Sequence, residues 1–132
     1  MSSYRLDKLQ FLSNLPNFIN VAQETATLDV SGTVGASSIL ILPVVTIKLK
    51  SASNFFTLYA YNNLTGYKST LTSIGSLFYN YSNSSSEIAE QYITVLNNVV
   101  SIHVFINNKI ASPVTLIPQT YTFTAVEYQL PF

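Results

Sequence analysis

The sequence predicts an all-β protein: one antiparallel β-sandwich domain with hairpins at Asn-Asn turns. Three observations carry this. Branched and aromatic side chains are abundant, with nine Tyr and eight Phe in 132 residues, and such side chains suit a pleated, half-buried surface. Several segments alternate apolar and polar residues with a period of two, the signature of a strand with one buried face. The dipeptide Asn-Asn occurs three times, at 62–63, 97–98 and 107–108, each time between β-like runs. Asn tolerates the positive φ that tight hairpins demand better than other residues with a side chain.

Taken in chain order, Met1–Asn20 is read as an N-terminal arm preceding a domain over 21–132. Leu6, Leu9, Leu12 and Leu15 recur at near-helical spacing, Ser2 or Ser3 offers a cap, and Pro16 stops the run. Leu28 and Val30 alternate with Thr27, Asp29 and Ser31. Ile39, Ile41, Val45, Ile47 and Leu49 share one parity, while Lys48 and Lys50 fall on the other. The run FFTLYAY before Asn62-Asn63 and LTGYKSTL after it read as a hairpin. NYSNSSS at 80–86 is a loop with nothing to bury. Ser84 with Glu87 matches a capping box, so a short helical turn is expected at 86–91, leading into a strand to 96. Strands over 91–96, 99–106 and 109–117 would then form a meander turning at Asn97-Asn98 and Asn107-Asn108. Tyr121, Phe123 and Ala125 alternate with Thr122 and Thr124. The expected core is Leu28, Val30, Ile41, Val45, Ile47, Val100, Ile102, Val104, Ile106 and Phe123. Seven to nine short strands at spacings of about 8–12 residues point to a sandwich or barrel.

Charge is the other conspicuous property. Six Lys+Arg and six Asp+Glu make 9% charged residues with zero formal net charge, while 48% of residues are hydrophobic. A typical soluble domain is about 25% charged. Ser, Thr and Asn take the vacated places, 17, 13 and 12 of them. Six scattered cations cannot build the basic surface a nucleic-acid partner requires. They equally exclude a polybasic membrane patch. No apolar run of signal-peptide length follows Arg5, Asp7 and Lys8, and the apolar stretch Ile39–Val45 is far short of the roughly 20 residues of a spanning helix. With no cysteine there is no disulfide framework, thiolate metal site or Cys nucleophile.

A search for catalytic chemistry returns little. His103 is the single histidine, sits mid-strand on the face opposite Val100–Ile106, and has no carboxylate close in sequence. It reads as a structural or surface residue. There is no G-x-S-x-G elbow, H-E-x-x-H or EF-hand pattern, and Gly32 and Gly35 in SGTVGASS lack the Lys-Ser/Thr of a phosphate loop. Glu87 and Glu90 are better explained by a cap and a solvated side chain than by paired acid–base work. The expectation is a protein that is not an enzyme and has no catalytic residue, metal or cofactor.

Two sets of residues are candidates for contact with other molecules. Asn63, Asn80 and Asn83 begin N-x-S/T sequons, which are glycan acceptors in a glycosylating setting, although a chain this rich in Asn and Ser generates sequons by chance. Tyr59, Tyr61, Tyr67, Tyr79 and Tyr81 cluster in the sequence. Such residues bind glycans or protein partners, or stand at the core edge with hydroxyls in water.

Near-zero net charge and exposed apolar surface favour association, and strand edges add a second drive. A chain this poor in charge is therefore expected as a subunit, its surface covered by copies of itself or other structural partners. With few carboxylates to protonate, it should also tolerate acid. The pattern from Thr27 to Phe132, with its Asn-Asn turns and Thr/Tyr/Ile strands, resembles small jelly-roll-type β-sandwich proteins of virions, and surface proteins of viruses or cells from hot, acidic habitats. The resemblance is architectural and compositional. It implies a capsid, decoration or appendage component at a virion or extracellular surface. The alternatives are a glycan-binding β-sandwich module and a subunit of an extracellular filament.

Overall fold

The computed structural model describes residues 19–70, 77–79 and 87–130. The expected N-terminal helix, Asn80, Tyr81 and Asn83 lie outside these residues. Among the described residues ten strands follow one another: β1 (Ile19–Val30), β2 (Thr33–Val34), β3 (Ile39–Ile41), β4 (Val45–Lys48), β5 (Phe55–Asn62), β6 (Lys68–Thr70), β7 (Glu87–Leu96), β8 (Val99–Asn108), β9 (Val114–Thr115) and β10 (Gln119–Gln129). Sheet I has the order β1-β10-β5-β6. In sheet II, β8 is central, with β3 and β4 in succession along one side and β7 along the other; β2 and β9 form a short separate ladder. All pairings are antiparallel. The first strand lies beside the last and β3–β4 beside β8, a nested, jelly-roll-like wrap.

The core lies between the two sheets. From sheet I come Leu28 and Val30, Tyr121, Phe123 and Ala125, and Ala60. From sheet II come Val45, Ile47, Val100, Ile102, Val104 and Ile106, with Leu42, Leu49 and Ala89 beside them. The alternation read in the sequence is followed without interruption through β8 and β10, where every second residue is buried. Removing this apolar area from water, at roughly 25 cal/mol per Å², is the main force holding the sheets together.

Several expectations need correction. Ile41 is not core: it is 80% exposed. The residues 39–49 do not form one strand of constant parity. Pro43 cannot donate to the ladder, the strand breaks into β3 and β4, and burial shifts from Leu42 to Val45 across the break. The described part of the expected helical turn, residues 87–91, is strand, since β7 opens at Glu87 and pairs with Asn108 from its first residue. That long pairing partner outweighs a local capping signal.

Of the three Asn-Asn pairs, only 97–98 is a two-residue hairpin turn, with Leu96 paired to Val99. Only Asn97 there has positive φ, at 55°. Asn98 is instead drawn toward the end of β4: its Nδ2 donates to the Leu49 carbonyl at 3.1 Å, and its own carbonyl accepts from Leu49 N–H at 2.7 Å. The β5–β6 hairpin exists, but Asn62 is its last strand residue and the turn runs over 63–67, with Gly66 supplying φ of 77°. Asn107 and Asn108 make no turn and end β8. The residues after them leave the sheet, so there is no strand over 109–117 against β8; only β9 forms, and it pairs with β2.

Candidate functional site

The two outer faces of the sandwich differ in chemistry. On sheet I, register sets Thr25 opposite Thr124 and Thr27 opposite Thr122. The rows continue to Tyr59 and Tyr61 and then to Thr70 and Lys68. Thr120 donates to Asp29 Oδ1 at 2.8 Å and Thr122 to Asn63 Oδ1 at 3.0 Å. Lys68 Nζ stands 4.9 Å from the centre of the Tyr59 ring. This face is hydroxyl-rich.

The outer face of sheet II carries an apolar patch. Ile39 and Ile41 of β3 lie opposite Asn107 and Phe105 of β8, and Phe105 and His103 lie opposite Glu90 and Tyr92 of β7. The break at Pro43 leaves a shallow groove of about 290 Å³ beside His103, lined by Ile39, Ile41, Val44, Tyr92, His103 and Phe105 together with Leu42 and Val104. Val44 is 51% exposed and Tyr92 54%. The Tyr92 and His103 rings stack with centroids 4.2 Å apart and planes 5° from parallel. His103 Nε2 lies 3.4 Å from Thr94 Oγ1. The imidazole therefore serves as a flat wall of the groove, held between Tyr92 and Thr94.

Separate apolar side chains are exposed on the opposite face of β7. Ile93 and Val95 face the side of sheet II that elsewhere packs on sheet I, opposite Ile102 and Val100. Their β8 partners are fully buried, yet Ile93 is 37% and Val95 51% exposed. Among the described residues, sheet I stops short of this end of β7.

A second unusual cluster is interior. Glu24 of β1 and Glu127 of β10 both point between the sheets, and Glu127 is completely buried. Glu127 accepts hydrogen bonds from Lys50 N–H, at 2.9 and 3.1 Å to its two oxygens, and from Asn54 Nδ2 at 2.8 Å. Gln129 in turn holds Asn54. Burial alone would raise its pKa, but these donors, together with Glu24 and the Ser51 N–H, hold it below the usual carboxylate range. Glu24 is shifted the other way. Burial, the hydrogen bond to Glu127 and the charge on Glu127 push it up to about 7, against the opposing pull of Lys50. With both groups ionised, the two buried oxygens of Glu24 find no donor. A proton on Glu24 makes it the donor to Glu127, so the pair shares one proton. Its atoms are closed to solvent, which fits a structural role better than a substrate site.

Buried amides tie the strand ends. Asn62 Nδ2 donates to the Leu77 carbonyl and to Gln119 Oε1, at 2.7 and 2.9 Å. Asn108 Nδ2 donates to the carbonyls of Gly35 and Ser112, at 3.1 and 2.9 Å. These neutral groups satisfy buried backbone carbonyls where charged residues would be costly.

The sequence-derived tyrosine cluster is only partly assembled. Tyr59 and Tyr61 share the outer face of sheet I and Tyr67 is exposed in the adjoining turn. Tyr79 is bound to Gln119 through its backbone. Asn63 is exposed, with its side chain accepting from Thr122. The groove and the carboxyl pair were not anticipated. Glu127 does carry a sequence signal, since it continues the buried parity of Tyr121, Phe123 and Ala125.

Among the described residues, no three His, Cys, Asp or Glu side chains converge as a metal site, and no helix is long and apolar enough to cross a membrane. No protein-family model, curated protein or solved structure matches the chain. What the fold and its surface define is an antiparallel β-sandwich with one hydroxyl-rich face and an apolar patch on the other.

Proposed function

We propose that this protein is a structural subunit that assembles with copies of itself or docks into a larger particle, as a component of a virion or of an extracellular surface structure. The observation that supports this most is the apolar patch around the groove of sheet II, where Ile39, Ile41 and Val44 stand exposed beside Tyr92, with Leu96, 75% exposed, farther along β7. Exposed apolar surface of this kind marks interaction sites, and zero net charge offers no general repulsion between copies. An acidic exterior setting is supported by the scarcity of carboxylates and by a buried pair that keeps one proton up to neutral pH.

Light scattering on the purified chain at high micromolar concentration tests the reading. Assembly beyond the 14.6 kDa monomer is expected, reduced in an Ile41→Asp/Val44→Asp variant with an unchanged circular dichroism spectrum. A monodisperse wild-type monomer refutes it.

A second reading, glycan binding, is favoured by the Tyr59–Tyr61 row with Thr122, Thr124 and Lys68 on the outer face of sheet I. Aromatic faces beside hydroxyl donors suit sugar rings. A glycan array on wild type and Tyr61→Ala decides it, and no binding by wild type removes it.

A further inference from the structure

The carboxyl pair sits where β1 is least firmly held. β1 is an edge strand of sheet I, and among the described residues its ladder partner is β10 alone. Its C-terminal half is anchored by Leu28 and Val30, both buried in the core. Toward the other end the register slips between Asn20 and Ala22, and Ile19 and Val21 are exposed. There the inward-facing Glu24 stands where an apolar anchor would otherwise be.

The two carboxyls are unequally provided for. Glu127 accepts from the Lys50 N–H and from Asn54 Nδ2, both in the segment between β4 and β5. It therefore belongs to a framework of β10 and that segment. Both Glu24 oxygens are closed to solvent and find no donor. The charges acting on Glu24 are Glu127, which repels an ionised Glu24, and Lys50, which attracts it. Lys50 is exposed, so its pull is screened by water and salt. The remaining neighbours are neutral: Ala125 opposite Glu24 on β10, Phe56 of β5 opposite Glu127, Val45 and Ile47 on the inner side of β4, and Ser51 and Asn54. An ionised Glu24 is stabilised only by reaching water.

We propose that the Glu24–Glu127 contact is a latch: while the two carboxyls share a proton it holds the Ile19–Glu24 end of β1 on β10, and loss of that proton lets this end open ahead of the rest of the sandwich. Glu24 is the partner that leaves, because the donors around Glu127 stay with β10. Leu28 and Val30 keep the remainder of β1 in place. The inference does not depend on the assembly reading, whose surface lies on sheet II.

Opening hydrates Glu24 and returns it from about 7 to its ordinary 4.5, so one proton is released between these values and the opening constant rises about tenfold per pH unit across them, then levels off. Amide hydrogen exchange of the purified chain, read residue by residue by NMR and divided by the intrinsic rate at each pH, measures this. Protection of the β1 amides that bond to β10 between Ala22 and Thr25 should fall about a hundredfold from pH 5 to 7. It should stay at least about tenfold below that of Leu28, Val30 and Val100–Ile106, and be insensitive to dilute urea, as a local opening is. Glu24→Gln should keep the end protected and abolish the pH dependence. Protection of the β1 end that is independent of pH, or that equals the core's and falls with urea, overturns the latch, as does a folded Glu24→Gln that retains the wild-type slope. Should Glu24→Gln fail to fold, the wild-type profile decides against the titration of the Glu24 carboxyl carbon: coincident midpoints support the latch, and separate ones refute it.

Discussion

Glu24 and Glu127 face each other inside the sandwich as an acid and its conjugate base. Glu127 is fixed as the carboxylate by Asn54 and the Lys50 backbone, and Glu24 as the carboxylic acid that completes its shell. The pair concentrates carboxyl chemistry of the interior at one point between β1 and β10.

Stability should therefore depend on pH in a defined way. Glu24 has a folded pKa of about 7 against 4.5 for the free group. Between these values the folded protein holds a proton the unfolded chain has lost, so stability falls as pH rises from 4.5 to 7. Glu127 is depressed, so its contribution is present above 4.5 and is lost as pH falls through its folded pKa. The melting temperature should peak in the mildly acidic range. Glu24→Gln, whose amide donates without titrating, should flatten the fall between pH 4.5 and 7, and thermal melts across pH 3–9 check this. A wild-type melting temperature that rises steadily from pH 5 to 8 would contradict the assignment.

Glu127→Gln is expected to be worse than Glu24→Gln at every pH above 4.5. It removes the charge that the Lys50 and Ser51 N–H groups, Asn54 Nδ2 and Glu24 converge on, and leaves buried N–H groups underserved at a cost of about 1–3 kcal/mol. Urea denaturation at pH 6 measures the difference between the two variants.

Tyr121 is fully buried, burial pushes its phenol pKa up, and its hydroxyl has no hydrogen-bond partner among the described residues. Replacing an unsatisfied buried hydroxyl with hydrogen removes a desolvation penalty. Tyr121→Phe should leave stability unchanged or raise it by about 1 kcal/mol. Equilibrium unfolding that shows a clear loss would reveal a partner for the hydroxyl.

Leu42 and Ile41 are neighbours with opposite fates. Leu42→Ala should cost about 2–5 kcal/mol as a core truncation, while Ile41→Ala should stay within about 0.5 kcal/mol in dilute monomer. The pair of denaturation curves tests the parity change at Pro43. Equal losses would restore Ile41 to the core.

Asn62 and Asn63 separate in the same manner. Asn62→Asp loses both donors to Leu77 and Gln119 and buries a charge, so it should destabilise by at least about 2 kcal/mol. Asn63→Asp sits in an exposed turn and should be near neutral. Thermal melts of the two variants suffice.

The fold was legible because β8 buries alternate residues along its whole length and β10 does so as far as Glu127. Val100, Ile102, Val104 and Ile106, like Tyr121, Phe123 and Ala125, obey a period that local sequence displays. The Asn-Asn pairs misled because Asn has two uses. At 97 it accepts positive φ; at 62 and 108 its amide ties backbone carbonyls inside the fold. A dipeptide cannot distinguish these, since the partners at Leu77 and Gly35 come from other segments. Ile41 was misplaced because parity was carried through Pro43, the residue that resets it. Glu24 lies on the parity of Leu28 and Val30, but its pairing with Glu127, 103 residues away, exists only once β1 and β10 are neighbours. The groove beside His103 has the same origin: it is a gap between β3 and β4 viewed from β8.

The amide ties also set how this protein ages. Hydrolysis of an Asn side chain to Asp is a slow, spontaneous chemical change favoured by heat. At Asn62 or Asn108 it would replace a donor with an anion facing carbonyl oxygens, undoing the joint from within. Because those amides are buried and held at both ends, they are shielded from the backbone motion such hydrolysis requires, whereas exposed Asn63 and Asn97 are not. Chemical wear should therefore accumulate first in the turns, leaving the sandwich intact while its surface slowly gains the negative charge that the sequence otherwise withholds.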